Sequence, residues 1–506
     1  MANVAAGSQP QSEFVAGSGA GCRALVVFFY VAVAVFAVVI LGMVCAGWRN
    51  GLDLTPTSGT WIALADDLKH GMFYRPMFSD LGYGGTRYFP LHFVLHAAIM
   101  KMGLGAEAAG HTLEALTGLA LLFGIYRVLR ALRIAPLTAI CVSVLVLAPQ
   151  ATRIAILSIR GDLLPTTFII LGLSICMALK VERRHVLLAS ICFILAFATK
   201  PTSLYGAGAV LLAFLIARQF RNAAYLLAAT ALGCAAVLGI TSVASGGRFF
   251  AVLKACAVTA GYNLPTGLSH FVNIPALESP IELVFLVLGF AACIALLATR
   301  GLSMPAIFFA CTAVSTAIVL GADGTNLNHF IDIDVACLIV FAAWLFDERT
   351  QQKAFGIAVM VLISLFASCA TFWSIRHTQG GGYFDFAYSP GMREAVQFIG
   401  RQDKPILAEH PLLPILAGQR PYLLDDWMFK AVSEKNPQFE KPMADAIRQQ
   451  QFSAIVLEFN LGPKTQGEVA DSIRQNYQLA QQFPRAWIFL PKSAAAQGNI
   501  NAVPQP

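Results

Sequence analysis

The segment Gly51–Pro90 reads GLDLTPTSGTWIALADDLKHGMFYRPMFSDLGYGGTRYFP and holds four aspartates, two arginines, seven aromatic residues and six glycines. Carboxylates can take protons from a hydroxyl. Guanidinium groups offer a planar fork that suits phosphate oxygens. Loops of this length are seldom mere connectors. Trp61, Leu64, Ala65 and Leu68 are spaced as one apolar face of a helix lying on a membrane, with Ser58 as N-cap and Gly71 as stop. Asp66 and Asp67 then face away from part of that surface. Asp53 precedes the helix, just where the preceding apolar run ends. A base acting on a lipid-borne substrate must sit near the membrane surface, and Asp53 fits that place best, with Asp66 a further candidate. The plainer reading is that these acids only keep an interfacial helix wet, and it weighs most on Asp66 and Asp67.

Arg75 in FYRP and Arg87 in GGTRYFP are the phosphate candidates, unless they serve lipid headgroups. Tyr88 and the other nearby aromatics can hold a sugar ring or a prenyl tail. Gly82, Gly84 and Gly85 allow close backbone approach. In TRIAILSIRGDLLP, Arg160 and Asp162 stand where an apolar run begins. They form either a pair capping a helix or part of a site, Asp162 being a third candidate acid. Lys200, in FATKPTS, can snorkel to the interface or bind phosphate. Asn326, Asn328 and His329 form a polar ledge ahead of Asp332 and Asp334. Acids within a span cost roughly 2.5–3.5 kcal/mol each, so these two should face protein or water and pair with Arg160 or Lys200. Their Asp-x-Asp spacing also leaves a divalent metal open, although the pair lies in a span and not in a loop.

The elements that carry these residues are apolar. Of the 506 residues, 57% are hydrophobic and 12% charged, against about 25% charged in soluble domains. The chain therefore reads as a polytopic membrane protein. The net charge of +7 sits in short loops and reads as topology, not as a nucleic-acid surface. The eleven cysteines lie mostly in apolar runs, with no CxxC and no metal-ligand spacing. Apolar runs predict spans near 24–46, 108–126, 135–152, 163–180, 185–200, 201–217, 223–245, 279–298, 303–321, 329–346 and 354–374. Leu91–Gly103 is short and carries His92, His96 and Lys101. If it crosses, there are twelve spans. The positive-inside rule favours eleven, because Arg127, Arg130, Arg133, Arg183, Arg184, Arg218 and Arg221 then all fall in the cytoplasm. Residues 1–23 read as a disordered cytoplasmic tail, 24–376 as the transmembrane domain with an outer loop over 47–107, and 377–388 as a linker. Residues 389–493 read as a small extracytoplasmic α/β domain and 494–506 as a disordered tail.

The order of these parts resembles the GT-C class of integral-membrane glycosyltransferases, whose donors are polyprenyl-phosphate sugars. The nearest group includes bacterial protein O-mannosyltransferases and lipid A aminoarabinose transferases. The resemblance rests on TWIALADDLKHGMFYRP, then RYFPLHFVLHAAIMKMG, SIRGDLLP, ATKPTS and GTNLNHF in that sequence. It covers 24–376 as architecture and 389–490 as the outer domain of many relatives. It implies an all-α polytopic fold in the bacterial cytoplasmic (inner) membrane. It also implies inverting transfer of a hexosyl or pentosyl group to a lipid, glycan or protein acceptor. Carried over, Asp53 is the base, and Arg87, Arg160 or Lys200 holds the phosphate. One departure stands out. Relatives often carry an acid just before the aromatic that starts the loop helix, and here Ser58-Gly59-Thr60 precedes Trp61. Either Asp53 or Asp66 substitutes, or the activity is altered or lost. Two other readings are a transporter or flippase of a lipid-linked solute, and a noncatalytic membrane scaffold.

Overall fold

The structure is a computed structural model that describes residues 20–51, 54–177, 181–257, 261–347, 353–377, 390–402, 405–458, 461, 467–483 and 486–493. Asp53 lies outside the described residues, as do 378–388 of the expected linker, residue 389 of the expected α/β domain and the tail 494–506. The first helix already begins at Ala20, inside the segment read as a disordered tail.

The chain is a multi-pass membrane protein. Among the described residues six helices are long and apolar enough to cross a bilayer: Arg23–Asn50, Ala106–Ala131, Phe220–Ala244, Pro280–Arg300, Leu327–Leu345 and Ala354–Phe372. A seventh crossing results if Pro136–Leu147 and Gln150–Leu157, which meet at 79°, count as one. Pro149 separates the two, and proline cannot continue the backbone ladder. The other expected spans are helical but shorter. Leu163–Cys176 has 14 residues, Arg183–Thr199 17, Tyr205–Ile216 12 and Met304–Val319 16. Leu91–Lys101 has 11, about 16 Å of helix, which is half the thickness of a hydrocarbon core.

The C-terminal segment carries a four-stranded sheet. Its strands are β3 (Ile406–Ala408), β4 (Ala454–Leu457), β5 (Tyr477–Phe483) and β6 (Ala486–Pro491), in the order β3-β4-β6-β5. β1 (Phe78–Ser79) and β2 (Gly82–Tyr83) are a short hairpin within the first loop. β3 and β4 are parallel, and the other neighbours are antiparallel. Between β3 and β4 run the helices Leu412–Leu416, Asp426–Lys435 and Lys441–Arg448. Asp425 caps the second of these by accepting from the Met428 N–H at 2.9 Å.

The first loop and this segment are joined by hydrogen bonds. The loop helix is Pro56–Lys69, and Thr55, not Ser58, is its N-cap residue. Ser58 is buried, and its hydroxyl instead accepts from the Ile159 N–H at 3.3 Å. The helix does not lie on a membrane surface, since every residue from Ser58 to Ala65 is buried. Asp67 is buried too. Its carboxylate takes the Arg75 guanidinium in a two-pronged pair at 2.5 and 2.8 Å. Arg75 also donates to the carbonyls of Leu81 at 3.0 Å and Pro421 at 2.7 Å. The Tyr83 backbone extends the junction, donating to Tyr422 O at 2.8 Å and accepting from Leu424 N at 3.1 Å. Tyr74 holds a left-handed φ of 59°, a costly conformation for a bulky residue. Its ring packs against Phe93 and Phe249, and its hydroxyl donates to Tyr88 O at 2.8 Å.

Removing one partner of a buried pair strands the other charge, at a cost of about 3–5 kcal/mol. Asp67→Ala and Arg75→Ala should each lower the melting temperature in detergent markedly, whereas Asp66→Ala should not. Equal melting of Asp67→Ala and wild type would show that this junction contributes little.

Candidate functional site

Beneath the junction, three elements bring their polar ends together. Arg160 and Asp162 lie in the turn before the helix Leu163–Cys176. Lys200 ends the helix Arg183–Thr199, where Pro201 starts a new turn. Asn328 and His329 sit in the short turn Leu327–Phe330. Asp162 is the hub. Its carboxylate accepts from Arg160 Nε at 3.1 Å, Lys200 Nζ at 3.3 Å and Asn328 Nδ2 at 2.9 Å. The three charged side chains keep between 13% and 18% of their surface open, so they face an accessible space. Burial alone would raise the Asp162 pKa. Lys200 and Arg160, with His329 and the Asn328 amide, outweigh it and hold the group well below the ordinary carboxylate range. A carboxylate held ionised in this way is a poor proton acceptor at neutral pH. In this structure Asp162 is the anchor of two cations.

Two cations around one carboxylate leave a net positive charge. His329 lies within electrostatic reach of Lys200, Asp162, Arg87 and Arg160. The guanidinium of Arg87 stacks over Trp427 at 4.7 Å. Tyr88 packs on Trp61 with ring centroids 4.4 Å apart and stands in the field of Asp425, Arg87, Arg160 and Asp162. Burial first, then the Asp425 charge, push its phenol pKa above the usual range. Tyr88 is therefore a neutral hydroxyl at the rim of the cluster.

Other expected residues stand elsewhere. Arg75 is not a phosphate ligand, because Asp67 and two carbonyls occupy its guanidinium. Asp66 is at the end of the loop helix beside His70, with its carboxylate 3.5 Å from Nδ1, and it makes no bond to the cluster. Asn326 is exposed and spends its side-chain oxygen on the Asn328 N–H at 3.4 Å. Asp332 accepts from Thr166 and lies in the field of Lys200, as expected of a span acid. Asp334 stands in the fields of both Glu282 and Asp332. Among the described residues no group of three or more His, Cys, Asp or Glu stands placed to hold a metal ion.

The helix start leaves no room for an acid at position 59, two residues before Trp61. A Cβ on Gly59 would fall 2.6 Å from Leu412 N and 2.9 Å from the Pro411 ring. The C-terminal segment therefore occupies the space that a side chain at 59 would need. An apolar groove of about 560 Å³ opens two residues beyond Lys200, lined by Thr202, Tyr205, Cys311, Val314 and Ile318.

Sequence reasoning passed over Trp427, Asp425 and Glu114. Glu114 carried a readable signal, as a lone acid inside an apolar span. Trp427 carried none, because its place depends on the packing of a distant segment.

No family model matches the chain, and no curated protein matches it in sequence. Solved structures do. ArnT from Cupriavidus metallidurans bound to undecaprenyl phosphate superposes with a TM-score of 0.61 at 13% identity, over 96% of this chain and 100% of that one. The Archaeoglobus fulgidus oligosaccharyltransferase AglB, with an inhibitory peptide and a dolichol-phosphate, gives 0.51 at 12%, over 93% and 75%. The mycobacterial arabinofuranosyltransferase AftD gives 0.51 at 15%, over 90% and 40%. This chain has the GT-C fold of these polytopic glycosyltransferases.

The C-terminal segment carries its own pH signal. Burial, moderated by the Met428 N–H and Arg87, raises the Asp425 pKa to about 6. Burial and the like charges of Asp425, Glu409 and Glu458 raise Asp426 to about 7. An unfolded aspartate titrates near pH ~3.9. The folded chain therefore holds more protons between pH ~4 and ~7, and stability falls as pH rises through that window. The melting temperature should be higher at pH 5 than at pH 8, and Asp425→Asn with Asp426→Asn should flatten the difference. Asparagine keeps the cap at 425. A double variant with an unchanged pH slope would remove these two groups as its source.

Proposed function

We propose that the protein is an inverting glycosyltransferase that moves a sugar from a polyprenyl-phosphate donor to a cell-envelope acceptor. The observation that carries this reading is the Arg160–Asp162–Lys200 cluster, with Thr202, two residues along the chain from Lys200, already lining an apolar groove. A lipid phosphate needs both, a charged place for its head and a dry one for its tail. The undecaprenyl phosphate and dolichol-phosphate bound to structures of the same fold support the donor class.

The steps follow from charge. The acceptor hydroxyl loses its proton to a carboxylate as its oxygen attacks the anomeric carbon. The bond from that carbon to the phosphate oxygen breaks, and polyprenyl phosphate leaves with the electron pair. Arg160 and Lys200 stabilise the charge that develops on this leaving group. Arg87, held over the Trp427 ring, supplies a third cation from the first loop. We assign the base to Asp53, because Asp67 and Asp162 are engaged with cations and position 59 has no room for an acid. The reaction then takes place on the extracytoplasmic face of the bacterial inner membrane, with the C-terminal segment on that side. The acceptor is a lipid, a glycan or a protein.

Asp53→Asn should lower sugar transfer from a lipid-linked donor by about 10²–10⁴, the usual loss for a general base, with melting unchanged. Lys200→Ala should instead weaken binding of undecaprenyl phosphate. Full turnover in Asp53→Asn would overturn the assignment of the base. If no outer-loop acid affects turnover and the lipid phosphate does not bind, the transferase reading itself fails.

A further inference from the structure

Next to the cation cluster lies a buried polar couple that the transfer steps do not use. Glu114, in the first third of the span Ala106–Ala131, and His92, on the helix Leu91–Lys101, are both fully buried. One carboxylate oxygen, Oε1, has two partners. It lies 2.8 Å from His92 Nε2, and it accepts the backbone N–H of Arg160 at 3.1 Å. The other oxygen, Oε2, has no hydrogen-bond partner. The His92 ring meets Trp61 edge-on at 4.7 Å, and Trp61 stacks on Tyr88 at 4.4 Å. A single buried oxygen thus links the two halves of the site. Through His92 and Trp61 it reaches Tyr88 in the first loop, and directly it holds the backbone from which Arg160 extends.

Burying an acid inside a span is costly, and a plain packing role would be filled better by leucine. The geometry gives Glu114 a different role. The turn Ser158–Asp162 connects two helices, and the Arg160 N–H is a backbone donor that must be satisfied inside the protein. Glu114 satisfies it from a rigid neighbouring helix, and so sets the height and direction from which the guanidinium leaves the turn.

We infer that Glu114 is a positioning residue, which fixes Arg160 against the donor phosphate and, through His92 and Trp61, aligns Tyr88 with it. This rests on the transferase reading given above. Glu114 acts through its hydrogen bonding, accepting the Arg160 N–H and pairing with His92 Nε2, and not by its charge. A glutamine side chain retains a carbonyl oxygen at the same place, so Glu114→Gln should keep both contacts.

The test compares Glu114→Gln with Glu114→Leu in detergent, with undecaprenyl phosphate as binding probe and a lipid-linked sugar as donor. Displacement of a reacting group by about 1 Å can cost 10²-fold. Glu114→Leu should weaken undecaprenyl phosphate binding and raise the donor KM by about 10–100-fold, with the acceptor KM unchanged. Glu114→Gln should restore both to within about threefold. A merely structural defect would lower kcat through loss of folded enzyme and leave the donor KM alone. That result, or normal donor binding by Glu114→Leu, overturns the inference. Failure of Glu114→Gln to restore binding would also overturn it, because charge would then be the working property. If Glu114→Leu does not fold, His92→Phe serves instead. It keeps an aromatic edge on Trp61 but removes the bond to Glu114, and an unchanged donor KM there counts against the inference. If the wild type neither binds undecaprenyl phosphate nor transfers sugar, it is the transferase reading that falls.

Discussion

The Arg75–Asp67 pair is the constraint around which the outer part of this molecule is organised. A guanidinium buried beside a membrane must satisfy its donors within the protein, and Arg75 does so with one carboxylate and two carbonyls from three separate segments. The loop helix, the small hairpin and the stretch around Pro421 therefore share one set of positions. With that set in place, Tyr83 pairs with Tyr422 and Leu424, and Leu412 rests against Gly59. Trp427 is brought over Arg87 by the same packing. The C-terminal segment is a wall of the site and not an appendage to it.

Below that wall the electrostatics follow a second constraint. Cations that wait for an anionic ligand repel one another until it arrives. Asp162 lowers that repulsion by binding Arg160 and Lys200 at once, while the Asn328 amide takes one more lone pair. An acid committed to two cations in this way has little freedom left for other partners.

The membrane helices were legible wherever hydrophobicity ran for a full span, as at Ala106–Ala131 and Phe220–Ala244. The pattern could not show how a proline would bend such a run, as Pro149 does within 135–152. Apolar periodicity correctly gave a helix at Trp61–Leu68 but put it on a lipid surface, because the same stripe is produced by burial under another segment. Arg160, Asp162, Lys200, Asn328 and His329 stood out in the sequence because polar residues at span ends are few, and the fold brings them together. Arg75 looked like their equal. Its true partner is eight residues away and its second anchor lies near the far end of the chain, and no local spacing reveals such a contact. The loop asparagines could not be ranked either, since Asn326 and Asn328 differ only in which way the turn points them.

The bond between Arg75 and Pro421 spans 346 positions of sequence. A ribosome adding about 5–20 residues per second reaches the second partner many seconds after the first. Through that interval Arg75 lacks its last acceptor, and Trp427 has not yet been made. The growing chain inserts most of its helices with the cation cluster still uncovered. Completion of synthesis is thus recorded in the site itself, and a chain cut short before Pro421 would display an unfinished loop to the proteases and chaperones that survey the membrane.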